Sequence, residues 1–352
     1  MFSKIQRRNS IVGKKKEVGI RTDFIGDQNH VDTVVFVHGI VFGHYRNTWK
    51  NIFQLLPRDK ELPKLDILAW GYESGVVRGE DIPHDGERLS SHLRTLIRAE
   101  NSIVLVGHSL GGLVILQSLC RQMQDGRALD RPCCQTEYIV LFGTPLNGHW
   151  FAKLIKKIIP IKHFINKQFR SLGNSNYCNQ IIDTTQSSIY APKNEGLYSK
   201  RIPIQLNIGT KDKVVSSEDR KNVLAKYQNP QARLVDGNHS TIKEPPTMNE
   251  IRYRNIKEDI QEGILVTFVR LSEKYMGVDQ LEKDHAWAEI IRRYEKIARY
   301  CVGKIFPINL QKKMVNEVLA LAAQGSLRRR MPPSRHILDA ARAINSQLSD
   351  GR

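Results

Sequence analysis

VLVGHSLGGLVI, residues 104–115, sets a polar serine at the tightest point between two apolar runs. The first half is a β-branched strand signal, and the half after Gly111 resumes as an apolar helix. Between them Gly107, His108, Ser109, Leu110 and Gly111 spell G-x-S-x-G. The five-residue pattern alone is weak. A strand directly before it and a helix directly after it make a nucleophile elbow, in which a strained turn lifts the serine hydroxyl above the edge of a sheet. Glycines fit such a turn because they carry no Cβ to collide there.

The same alternation of strand and helix runs outward from this point. TVVFVHG (33–39), LDILAWGYES (65–74), SIVLVGHS (102–109), EYIVLFGTP (137–145), IPIQLNIGT (202–210) and ARLVDG (232–237) read as strands. Helical patterns occupy 44–57, 85–99 and 110–123. Continuous apolar strands separated by helices indicate an α/β domain whose mostly parallel sheet is covered on both faces. That domain is expected over 31–275, with a lid insertion at about 146–200. A basic, mobile arm is expected over 1–30 and a small helical module over 276–352.

The chain has 352 residues and a formal net charge of +18, with 40% apolar residues. This suits a globular core, and the charge implies an anionic partner. No apolar run is long enough for a membrane span, and the basic N-terminus lacks the apolar stretch of a signal peptide. Five cysteines without CxxC spacing point to a reducing compartment and to no metal site, so a cytoplasmic location, peripheral to a membrane, is expected.

The insertion is the most cationic stretch: no acidic residue occurs from Tyr138 to Ile182. Phe151, Leu154, Ile155 and Ile158 recur at helical spacing, with Lys153, Lys156, Lys157, Lys162, Lys167 and Arg170 interspersed or following. Two readings stay open. The apolar stripe packs on the sheet edge with its lysines solvated, or the segment is a lid that docks on an anionic leaflet, where each cation is worth about 1 kcal/mol. The Arg328-Arg329-Arg330 cluster reads as a solvated linker; nucleic acid is not the expected partner. The C-terminal helical stripes around Trp287, Leu310 and Ile337 suit a protein partner or self-association.

A serine needs a base to attack at neutral pH. Beyond the later strands lie Asp212, after IPIQLNIGTKD, and His239, after ARLVDGN. With Ser109 they follow the order Ser, acid, His. Glu218 and Asp219 lie near enough to compete for the acid role, with Asp236 a further candidate. The oxyanion donors are expected from the backbone N–H groups of Ile40, after His38-Gly39, and Leu110, after the nucleophile. His38 and His108 are expected to orient loops. No cofactor is implied.

On VVFVHG, NTWKN, ILAWGYES, GHSLGG, LFGTPLNG, GTKDKVV and NHSTIKEPP, residues 33–246, the chain resembles the α/β-hydrolase superfamily. Within it the likeness is to the serine esterases and lipases grouped with the serine-active-site-containing protein and the GPI inositol-deacylase. Two positions depart from that pattern: Leu146 replaces a histidine after GTP, and Glu244 separates Lys243 from Pro245. The resemblance implies an α/β-hydrolase fold and a serine hydrolase acting on lipid or phospholipid acyl esters, or a transacylase. The alternatives are a non-catalytic scaffold and an effector-type lipase controlled through its C-terminal helices.

Overall fold

Along the strands of the sheet, alternate residues enter opposite cores, as the period of two in an extended chain requires. A computed structural model describes residues 21–25, 32–40, 45–60, 62, 65–74, 80–98, 101–124, 132–146, 202–215 and 231–275. Within them seven strands form one sheet: β1 (Arg21–Ile25), β2 (Asp32–Val37), β3 (Asp66–Gly71), β4 (Ser102–His108), β5 (Thr136–Phe142), β6 (Ile204–Gly209) and β7 (Gln231–Val235). Their order is β1-β3-β2-β4-β5-β6-β7. Only the β1–β3 pairing is antiparallel; the other five pairings run parallel. This is an α/β-hydrolase fold.

Val35, Val37, Leu68, Trp70, Leu105, Ile139 and Leu141 face one core with α2 (Ile82–Leu96) and α3 (Leu110–Gln124). Val34, Phe36, Ile67, Val104, Val106, Val140 and Phe142 face the other, with α1 (Lys50–Leu55) and α4 (Ile251–Tyr275). Every residue of β2 through β6 is buried, which explains their near-continuous apolar runs.

Three differences from the sequence reading have physical causes. The arm expected over 1–30 contains β1, whose five residues pair with β3 from Arg21↔Gly71 to Ile25↔Ile67. Arg46 ties it down through Asp23 at 2.9 Å. The helix expected to begin at Asp85 begins at Ile82, because the Asp81 carboxylate accepts the His84 N–H at 2.9 Å and Pro83 suits the first turn. The helix expected over 44–57 is divided into a 3-10 turn at Tyr45–Trp49, α1, and a second 3-10 turn at Leu56–Arg58. Of the lid expected at about 146–200 all but Leu146, and the whole module expected over 276–352, lie outside the described residues. Among the described residues no helix is long and apolar enough to cross a membrane.

The sequence reading missed α4, although Tyr253, Ile256, Ile260 and Ile264 mark one of its faces and all are buried. On the same helix Asp259 is buried, accepting from Asn207 Nδ2 at 3.2 Å and pairing with Arg233 at 3.0 Å. Burial pushes its pKa from 3.8 up to about 6, against the pull of Arg233. Between those values the folded state holds a proton that the unfolded state has released. Ionising Asp259 therefore costs stability, fully above pH 6 and not at all once pH falls below the unfolded value. Asp259→Asn should remove this term. Its stability relative to the parent should climb by about 1.4 kcal/mol per pH unit between pH 4 and 6. Urea unfolding at several pH values checks this, and parallel curves for the two proteins would refute it.

Candidate active site

The six mutually parallel strands, β2 to β7, end on the same edge of the sheet, and the chemistry-bearing residues leave from those ends. Ser109 is the single residue between β4 and α3. Its φ is +53°, the one positive value among the described non-glycine residues. That strain persists because the surroundings hold it: the Ser109 N–H donates to Phe142 O at 2.8 Å, and Ser109 O accepts from Gly112 N at 3.1 Å. Gly111 lets the start of α3 press against the carbonyls of Val37 and His38, where any Cβ would collide.

His239, after β7, directs Nε2 to Ser109 Oγ at 2.9 Å and Nδ1 to Asp212 Oδ2 at 3.0 Å. Asp212, after β6, has its other oxygen fixed: Oδ1 accepts the N–H groups of Val214 at 2.7 Å and Val215 at 3.1 Å. The hydrogen-bond order Ser–His–Asp is thus continuous. Asp236 takes no part, being exposed and bonded to Thr210 and Lys211 instead. Glu218 and Asp219 lie outside the described residues.

Gly143 was not singled out by the sequence, yet the site needs it. Its φ is +54°, and a Cβ there would stand 2.9 Å from His239 Nδ1 and 3.0 Å from Asp212 Oδ2. Both flanking histidines orient loops, as expected. His108 donates from Nε2 to the His239 carbonyl at 2.8 Å, holding the base from behind. Burial, then the nearby Lys243 charge, depress its pKa well below 6.5, so it stays neutral.

Lys243 has a side chain only 3% exposed and donates to Ser240 O at 3.1 Å and Glu244 Oε1 at 2.6 Å. Its ammonium lies 5.9 Å over the Trp49 ring, and Trp49 meets His108 edge-on at 6.2 Å. Burial lowers the Lys243 pKa, opposed by Glu244. The inserted Glu244 is therefore the partner that a buried ammonium requires. The other departure, Leu146, is buried in the core beside α2 and α3.

The candidate oxyanion donors are Leu110, next to Ser109 in the chain, and Ile40. Leu110 opens α3, so its N–H has no acceptor within the helix. Gly39 lies against the serine, since a Cβ on it would be 2.8 Å from Ser109 Cβ; Ile40 is the next residue. Lys153, Lys156, Lys157, Lys162, Lys167 and Arg170 lie outside the described residues.

Residues 27–157, which carry β2 through β5 and the elbow, match the family model described as "Putative serine esterase (DUF676)". This segment is thus similar to serine esterases of the α/β-hydrolase type. Solved structures similar to this chain include the monoacylglycerol lipase of Paleococcus ferrophilus, at 16% identity over 69% of this chain and 99% of that one, TM-score 0.43. Another is the lipase BlEst2 of Bacillus licheniformis, at 17% identity over 65% and 95%, TM-score 0.43. No curated protein matches the chain.

Proposed function

We propose that Ser109, His239 and Asp212 form the catalytic triad of an esterase acting on lipid or phospholipid acyl esters. The observation that carries this reading is the unbroken chain from Ser109 Oγ to His239 at 2.9 Å and from His239 to Asp212 at 3.0 Å. His239 Nε2 takes the Ser109 proton as Oγ bonds to the ester carbonyl carbon, and the carbonyl π pair moves onto oxygen. The Ile40 and Leu110 N–H groups receive that oxyanion, each worth about 3 kcal/mol in the transition state. The oxyanion collapses, the ester C–O bond breaks, and His239⁺ protonates the departing alcohol to leave an acyl-serine. Water, or a second alcohol, then attacks the acyl-serine by the same route and regenerates the hydroxyl.

The lipid assignment is supported by the sequence: a net charge of +18 and a basic amphipathic stretch beginning directly after the GTP segment. A cationic insertion that follows the GTP segment in the sequence suits an anionic bilayer surface. Fluorophosphonate labelling tests both parts on the full chain. Labelling should require Ser109 and His239, and should be faster with phosphatidylserine vesicles than with phosphatidylcholine vesicles. Folded protein that never labels, or His239→Ala labelling as fast as the parent, overturns the triad. Labelling indifferent to vesicles, with hydrolysis of short soluble esters but not of dispersed phospholipid, overturns the lipid assignment.

A further inference from the structure

The carbonyl of Gly39 is held by two donors, and this fixes more than the carbonyl. Ser74 Oγ donates to Gly39 O at 2.8 Å, and His38 Nδ1 donates to the same oxygen at 2.6 Å. The His38 tautomer is set from outside. The Tyr72 N–H donates to His38 Nε2 at 3.0 Å, so Nε2 must offer its lone pair and the ring proton must reside on Nδ1. The imidazole is stacked on Tyr72 with centroids 4.6 Å apart, and Tyr72 on Trp70 at 5.3 Å. Burial holds His38 neutral, its pKa pushed down to about 4. The donor pair therefore keeps one protonation state throughout the working range of an esterase.

A trans peptide places the N–H of one residue opposite the carbonyl of the residue before it. With Gly39 O drawn toward Ser74 and His38, the Ile40 N–H is turned the other way. A glycine-led loop without such anchors could rotate this peptide cheaply and present a carbonyl oxygen to the developing negative charge. A donor contributes to catalysis only if it is already aimed when the charge forms.

We infer that His38 and Ser74 are positioning residues that lock the Gly39–Ile40 peptide with its N–H directed at the oxyanion formed on Ser109. The inference rests on the nucleophile and oxyanion roles given to Ser109 and Ile40 under the proposed function. Both side chains are buried, so they act through the peptide and not by contact with substrate. Ser74 lies two residues beyond Tyr72, off the end of β3, and reaches Gly39 because β2 and β3 run parallel in register, Val37 beside Trp70.

The test compares Ser74→Ala and Ser74→Thr in the full chain, with p-nitrophenyl butyrate as substrate and an alkyl trifluoromethyl ketone as the oxyanion mimic. Loss of a whole donor lowers kcat by about 10²–10³, so a loosened one should lower it about ten- to hundredfold. Ser74→Ala should show that loss in kcat with KM changed by no more than about twofold. Its affinity for the ketone should fall by the same factor as kcat, and Ser74→Thr should recover most of both. Should the alanine variant fail to fold, Ser74→Thr and Ser74→Val, alike in shape, give the same comparison of hydroxyl present and absent. A kcat near the parent value overturns the inference, as does a kcat loss without loss of ketone affinity. A crystal structure of Ser74→Ala with the Gly39 carbonyl unmoved overturns it regardless of turnover. The Ser109→Ala control separates the two levels. Activity persisting in that control refutes the nucleophile, whereas activity lost there but intact in Ser74→Ala refutes only the lock.

Discussion

Ser109→Ala should lower kcat for ester hydrolysis by about 10⁴- to 10⁶-fold while leaving the protein folded. Among the described residues the hydroxyl is bonded to His239 Nε2, and the backbone bonds that hold residue 109 to Phe142 and Gly112 do not involve it. Removing Oγ therefore removes the bond-forming atom without opening the core. The site also stores strain, because Ser109 sits at φ +53°, where a side chain is disfavoured by about 1 kcal/mol or more. Ser109→Gly should consequently be more stable than Ser109→Ala by about 1 kcal/mol, although equally inactive. Steady-state kinetics and urea unfolding of the two variants check both statements. An alanine variant retaining a hundredth of the parent kcat would refute the assignment of the nucleophile.

Asp212→Asn should lower kcat by about 10⁴-fold with little change in fold, for a reason visible in the hydrogen bonds. Oδ1 of Asp212 accepts two backbone N–H groups, from Val214 and Val215. An asparagine there must keep its carbonyl oxygen on those donors, which places its NH₂ against His239 Nδ1. The imidazole then has to accept at Nδ1 and carry its proton on Nε2, facing Ser109 Oγ. The base is present but has no lone pair to offer. Nitrogen NMR of the His239 ring would report the switched tautomer, and a variant whose kcat fell less than about tenfold would show that Asp212 does not set it.

The elbow, the sheet and the sequence order of the partners were legible because each depends on local or periodic information. Uninterrupted β-branched runs such as TVVFV announce strands buried on both faces. A serine wedged between one such run and an apolar helix announces a strained turn. Two strand-end signals, one carrying Asp212 and the other His239, complete the edge. β1 escaped notice because RTDFI is half-exposed and follows a basic tract, so it reads as a continuation of the arm. α4 escaped because its apolar residues are spaced among charges, and only packing against β4 and β5 reveals one buried face.

By itself, then, the sequence determined an α/β sheet with Ser109 raised at its edge, and a histidine and an acid waiting on later strands. Only the tertiary structure decided that Asp212 and not Asp236 meets His239, that Glu244 neutralises a buried Lys243, and that Ser74 and His38 share one carbonyl. The physical reason is the same in each case. Hydrophobic periodicity is written along the chain and needs no partner to be read. A hydrogen bond has a direction and a length near 3 Å, and which atoms satisfy both is settled by the register of strands and loops far apart in sequence.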